Sequence, residues 1–146
     1  MTPRKHLNHD APHWVNADAD YFITLCAEPR GHNHFCHPDL GAVVLDSLRI
    51  YNGQHHWYCE LAVLMPDHLH LVVHFPPEKT VAQVTGLWKH ALARSHGITW
   101  QRNFFDHRLR NDENAQQKWD YVLLNPVRAG LIDDASKWPY TWMPNH

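Results

Sequence analysis

The run Met65-Pro-Asp-His-Leu-His-Leu-Val-Val-His74 constrains the fold more than any other stretch of this chain. Its residues alternate, so on a strand Leu69, Leu71 and Val73 face one side while His68, His70, Val72 and His74 face the other. Two imidazoles two residues apart on one face can share a metal ion. The pair carries little weight alone. With 15 His in 146 residues, roughly 1.5 His-x-His pairs arise by chance, and His32 with His34 makes a second. A surface pair on the wet face of a strand is the simpler reading until a second run is considered, Asp120-Tyr-Val-Leu-Leu-Asn-Pro-Val-Arg-Ala-Gly-Leu131. There Tyr121 and Asn125 are four apart, which on a helix stacks a phenol above a carboxamide, a nucleophile beside a third potential ligand.

A chain of this length can bury about two-thirds of its unfolded surface in one core, so it needs no covalent staples. Cys26, Cys36 and Cys59 are odd in number, the N-terminus carries no apolar run, and no stretch approaches membrane-spanning length. The expectation is a reduced, cytoplasmic protein without a membrane partner. The formal net charge is -2, which argues mildly against nucleic acid, but the sum hides an asymmetry. Residues 1–78 hold 4 Lys/Arg against 9 Asp/Glu, whereas residues 79–128, which include Tyr121, hold 8 against 4. A local positive field is what phosphate binding needs, although a solvated face of mixed charge explains the count equally well.

In chain order, residues 1–20 are polar and without period, an expected flexible arm whose one anchor is Trp14, and residues 21–146 form a single domain. Tyr21-Phe-Ile-Thr-Leu-Cys26 is a strand by composition. The segment Gly31 to Pro38 gathers His32, His34, Cys36 and His37. It reads as a loop in preference to a zinc site, because structural zinc ligands usually come as two separated pairs and no second cysteine pair exists. Leu40, Val43, Val44, Leu48 and Tyr51 then fall at helical spacing between Pro38 and Asn52-Gly53. Trp57–Met65 and His68–Phe75 form a hairpin around Pro66-Asp67. Thr80 and Gln83 make a capping box before a second helix, whose face Val81, Val84, Leu87, Trp88, Ala91 and Leu92 is apolar.

The opposite face of that helix, with Gln83, Lys89, His90 and Arg94, is a solvated surface or a track for a phosphate backbone. Trp100 to His107 is read as a fourth strand. The order strand, helix, strand, strand, helix, strand predicts an α+β, ferredoxin-like βαββαβ fold, a four-stranded antiparallel sheet with both helices on one face. The histidine face would be the open one. An added C-terminal helix, Asn111 to about Leu124, places Ala115, Trp119, Val122 and Leu123 on its apolar stripe and Asn114, Gln117, Tyr121 and Asn125 opposite. Pro126 biases Asn125 away from helical geometry. Without the histidines, Tyr121 reads as an amphipathic tyrosine at a helix end. Trp138, Tyr140 and Trp142, spaced by two, could stack on bases or form a short strand covering a sheet edge.

If that helix lies on the histidine face, a divalent ion on His68 and His70 can polarise a phosphate while Tyr121 attacks it, leaving a phosphotyrosine and a free 3′-hydroxyl. Imidazole and amide ligands suit Mn²⁺ or Zn²⁺ by softness and Mg²⁺ by availability.

His68-Leu69-His70 within Met65-Pro-Asp-His-Leu-His-Leu-Val, Trp100-Gln-Arg-Asn-Phe-Phe-Asp-His107, and Tyr121-Val-Leu-Leu-Asn-Pro-Val-Arg-Ala-Gly-Leu131 resemble the single-tyrosine HUH transposases, in particular the REP-associated tyrosine transposases. The resemblance spans roughly Trp14 to Trp142. It implies a nuclease that cleaves and rejoins single-stranded DNA next to hairpins, with His68, His70 and Asn125 as ligands of Mg²⁺ or Mn²⁺ and Tyr121 as nucleophile. Lys89, Arg94, Arg102, Arg108, Arg110 and Arg128 are the basic side chains expected to meet DNA. Asp67 stands where that family's motif has Asn. Two rivals use the same residues differently: a binding module derived from a transposase that holds hairpin or single-stranded DNA without cutting it, and a metal-dependent hydrolase of small phosphoesters with water as nucleophile. Monomer and homodimer both remain open.

Overall fold

A computed structural model describes residues 11–15, 20–109 and 112–144. Most of the expected N-terminal arm lies outside them, as do Arg110 and Asn111. The β-branched and aromatic first run forms β1, Asp20–Cys26. Asp20, assigned above to the arm, is instead its first residue and is fully buried. Helix α1, Pro38–Gly53, begins with Pro38 in its first turn, where a missing N–H costs nothing and the fixed φ is already helical. Tyr58–Leu64 (β2) and His68–His74 (β3) form the expected hairpin, closed by the Met65 N–H on the His68 carbonyl at 2.8 Å.

Helix α2, Val81–His96, has the predicted capping box: the Gln83 N–H donates to Thr80 Oγ1 at 3.1 Å, and the Thr80 N–H donates to Gln83 Oε1 at 2.9 Å. Two otherwise orphaned donors are satisfied reciprocally. Gly97 ends the helix at φ 71°, a conformation only glycine adopts without a Cβ penalty.

The sheet order is β4-β1-β3-β2-β5 with antiparallel neighbours, where β4 is Phe105–Leu109 and β5 is Thr141–Trp142. The first four strands have the ferredoxin-like order. The fifth, drawn from the aromatic tail, pairs with β2 and extends the expected four strands to five. The fourth strand lies later than Trp100–His107 predicts. Trp100 makes one isolated bridge to Ala27, and its indole N–H donates to the Lys89 carbonyl at 3.0 Å. With Phe104 it packs on the core beneath α2, so its apolarity serves a loop and not a strand.

Alternation along the strands divides the core in two. Ile23, Leu25, Ala62, Leu69, Leu71 and Val73 meet Val44 and Leu48 of α1 and Val84, Trp88 and Leu92 of α2. On the other face, Phe22, Leu61, Val63 and Val72 meet Ala115, Trp119, Val122 and Leu123, the stripe predicted for the third helix, α3, Asp112–Leu123. The histidine face is therefore not open along its length, because α3 covers its middle. Each fully buried Val or Leu in that contact contributes roughly 1.5–3 kcal/mol, enough to fix the helix that carries Tyr121. Gly41 shows how tightly the tail closes over the opposite face. A Cβ there would stand 2.6 Å from the Tyr140 ring, so the helix accepts a glycine to let that ring in.

Candidate active site

The end of β3 nearest the hairpin turn presents His68 and His70 on the α3 side of the sheet, their ring centroids 5.0 Å apart. Each ring has one nitrogen tied down. His68 Nδ1 lies 2.8 Å from Asp67 Oδ1. An ionised carboxylate only accepts, so Nδ1 carries a proton toward Asp67 and Nε2 faces away from it. Asp67 is itself held by Arg30 Nε and by the Gly31 N–H, each 2.8 Å from Oδ2. Burial works against the Asp67 charge, but the hydrogen bonds from Arg30, Gly31 and His68 outweigh it and hold the carboxyl well below its usual range.

His70 Nδ1 lies 2.9 Å from Thr24 Oγ1 on the neighbouring strand, and the ring stacks on Phe22 with centroids 5.4 Å apart. Burial first, then the charges of His68, Arg128 and Lys118, push its pKa down to about 3. The imidazole is thus neutral at any ordinary pH. Neither Nε2 has a hydrogen-bond partner among the described residues. Two neighbouring imidazoles, each held through Nδ1 with Nε2 free of a hydrogen-bond partner among the described residues, form a donor set that fits a divalent metal.

Tyr121 is in the last turn of α3, 47% exposed, with its ring centroid 6.5 Å from that of His70. Cations flank it. Arg128 lies over the ring at 3.9 Å from the centroid and donates to the Tyr121 carbonyl, while Lys118 Nζ is 5.2 Å from the Tyr121 centroid and 4.7 Å from that of Phe22. Asn125 begins a short helix, α4, Asn125–Arg128, directly after Leu124 in αR geometry. Pro126 therefore does not expel Asn125 from helical structure. It occupies the first turn of α4, where no N–H is required, and Asn125 stays one turn beyond Tyr121.

The expected DNA-contacting residues do not share one surface. Arg128 adjoins Tyr121. Lys89 and Arg94 are on α2, across the sheet from the histidines, and the Lys89 ammonium donates to the Gln101 carbonyl at 3.0 Å and lies 5.3 Å from the Phe104 ring centroid. Arg102 and Arg108 are exposed, on the loop before β4 and on β4 itself. Arg110 is outside the described residues. In the loop between β1 and α1, His34 Nε2 lies 2.7 Å from the Pro29 carbonyl and His37 Nε2 lies 2.7 Å from the Asn33 carbonyl. The His34 and Phe35 N–H groups donate to Pro66, which docks this loop on the hairpin turn.

Two features escape sequence reasoning. Lys118 is one; its spacing of three from Tyr121 on a helix was the available signal. The other is a buried cluster at the far end of the same sheet face. His74 Nε2 lies 2.7 Å from Asp20 Oδ1 and 3.0 Å from Glu60 Oε1, and the three donor atoms lie within 4.8 Å of one another, a spacing at which a cation can be held. Glu60, two residues after the Tyr58 that pairs with His74, shares this face by alternation, and the register shift between Cys59 and Leu61 places Leu61 on it as well. Burial lowers the His74 pKa, but the hydrogen bonds and charges of Asp20 and Glu60 outweigh that and raise it to about 9. At neutral pH the proton on His74 is itself the positive charge between the two acids.

Fold and site together define a ferredoxin-like α+β domain with a braced His-x-His pair facing a helix-borne tyrosine. In sequence and fold the chain resembles the REP-associated tyrosine transposases. It is 28% identical over 96 residues, 53% of this chain and 54% of the relative, to a Haemophilus influenzae protein assigned that name. It is 26% identical over 84 residues, 54% of this chain and 50% of the relative, to the REP-associated tyrosine transposase of Escherichia coli K12. The chain thus spans about half the length of these curated relatives. No protein-family model matches it. A solved REP-associated tyrosine transposase bound to a REP hairpin superposes with a TM-score of 0.74 at 19% identity, over 92% of this chain and 82% of that one. A crystal structure of a protein assigned as a transposase from Deinococcus radiodurans R1 gives 0.51 at 15% identity, over 79% and 95%.

Proposed function

We propose that this chain is a metal-dependent endonuclease and transposase for single-stranded DNA, cleaving and rejoining strands near hairpins through a covalent 5′-phosphotyrosine on Tyr121. The observation that carries the reading is the approach of the exposed Tyr121 phenol to the paired, braced imidazoles, with centroids 6.5 Å apart at His70. The solved hairpin complex of similar fold supports hairpin-bearing DNA as the substrate class. His68, His70 and Asn125 would hold Mn²⁺ or Mg²⁺, which supplies Lewis acidity toward a phosphate oxygen. Tyr121 Oη attacks phosphorus in line, the bond to the 3′ oxygen breaks, and the phenolic proton passes to solvent. The departing 3′ oxygen takes a proton from water. Attack by another 3′-hydroxyl on the tyrosyl ester reverses these steps and frees Tyr121, so rejoining needs no ATP. Lys118 and Arg128, both beside the ring, offset the phosphate charge.

The test is incubation with Mn²⁺ or Mg²⁺ and a panel of end-labelled hairpin DNAs with single-stranded flanks, followed by denaturing gels. A metal-dependent labelled protein band is the expected outcome. DNA bound without any adduct would favour the non-cleaving module, and no binding at all would defeat both.

Asp67 gives a second expectation. By holding the His68 tautomer, its carboxylate should strengthen metal binding, and Asp67→Ala is expected to weaken Mn²⁺ affinity by roughly ten- to a hundredfold in titration calorimetry. Asp67→Asn, which keeps an oxygen toward Nδ1, should lose less. Equal affinity in the alanine variant and the parent would show that the brace does nothing for the metal.

A further inference from the structure

Strand β4 carries two aromatic rings that the core does not use. Phe105 is 57% exposed, and its ring meets that of Phe22 only edge-on, at 6.2 Å. In register it lies opposite Thr24, which lies opposite His70, so Phe105 is two interstrand spacings, about 10 Å, from the histidine pair. His107, two residues on and also exposed, presents its ring on the same face. The two planes are within 18° of parallel and their centroids are 6.4 Å apart. That centroid separation is a little under twice the roughly 3.4 Å rise between stacked bases, so a small outward turn of either exposed ring admits one base between them. Beside them, a groove of about 390 Å³ runs between β4 and α3, lined by His107, Leu109, Gln117, Lys118 and Tyr121. One wall is thus the nucleophile, and another carries the Lys118 ammonium.

We infer that Phe105 and His107 form a nucleobase slot, which takes the base of a nucleotide neighbouring the phosphate presented to Tyr121; this rests on the nuclease reading above. A single strand lying along the groove sets its phosphate toward Lys118 and Tyr121, and one unpaired base turns into the gap between the two rings. Stacking tolerates any base because each has a π-face, so the slot fixes the position of the strand and not its sequence. It also requires that base to be unpaired, which restricts the groove to single-stranded flanks. An exposed ring on an edge strand is otherwise an aggregation liability, and a bound base would cover it.

The slot is tested in a Tyr121→Phe background, so that bound DNA is not cleaved, with 2-aminopurine walked through the single-stranded flanks of hairpin DNAs. Quenching is expected at one flank position on binding. Phe105→Leu, which keeps apolar cover over Phe22 but removes the π-face, is expected to abolish that quenching and weaken binding by roughly five- to a hundredfold, and Phe105→Trp should restore both. Binding with no quenched position, or unchanged quenching and affinity in Phe105→Leu, would overturn the slot while leaving the nuclease reading intact. Failure of the parent to bind any hairpin or flank would overturn both. Concentration-dependent dimerisation in sedimentation, abolished by Phe105→Leu, would assign the rings to a second copy of the chain instead.

Discussion

Tyr121→Phe is expected to abolish covalent capture of DNA, lowering adduct formation by roughly a thousandfold or more, while hairpin binding stays within about twofold of the parent. The asymmetry follows from what the substitution removes. Only the phenolic oxygen is lost. The ring remains beneath Arg128 and beside Lys118, and both contacts use its face and not its hydroxyl. The side chain is 47% exposed, so folding stability should change by no more than about 0.5 kcal/mol. Gels with labelled hairpin DNA, run beside binding by fluorescence anisotropy, separate three mechanisms. An adduct that persists would require another nucleophile. Unchanged hydrolysis of small phosphoesters by the variant would make water the nucleophile and Tyr121 a bystander.

The second large effect concerns stability. His74 is buried between Asp20 and Glu60 and titrates at about 9 in the folded protein, against an ordinary value of 6.5. Below 6.5 the imidazole is protonated folded or unfolded, and its stabilisation is fully present. Between 6.5 and about 9 only the folded protein holds the proton, so raising the pH favours unfolding. Above about 9 the contribution is gone. The gap in pKa corresponds to a loss on the order of 3 kcal/mol across that window, a large share of the stability of a domain of this size. Urea midpoints measured at pH 6, 7.5 and 9 should fall in that order. His74→Leu should be about 3–5 kcal/mol less stable than the parent at pH 6, since it removes the charge shared by two buried carboxylates, and most of its difference from the parent should vanish by pH 9.5. A midpoint that rises between pH 6.5 and 9 would show that the cluster is not held together by this proton.

Much of the architecture is legible without coordinates, because it is written in local periods. The alternation of β3 separates Leu69, Leu71 and Val73 from His68, His70 and His74, and the two core clusters keep that division. Thr80 and Gln83 announce the start of α2 because a capping box involves only four consecutive residues. The stripe of Ala115, Trp119, Val122 and Leu123 is a matter of helical geometry, and all four are buried. Where apolar composition stands in for period, it misleads. Trp100 and Phe104 look like strand residues, yet they fill a loop against the core. Pro126 looks like a helix stop, yet α4 restarts at Asn125.

By itself, then, the sequence determined which residues share a face, where α1, α2 and α3 begin, and that His68, His70 and Tyr121 could belong to one chemistry. Only the tertiary structure decided which surfaces meet. An amphipathic stripe specifies that α3 must be buried but not against what, and its docking on the histidine face is what brings Tyr121 to His70. Strand register, which no short window encodes, aligns Phe105, Thr24 and His70 across three strands. Strand pairing likewise makes neighbours of Glu60, His74 and Asp20, three residues distant in sequence. The reason is common to all three cases: period is a property of adjacent residues, whereas register and docking depend on long-range contacts whose energies are summed over the whole core.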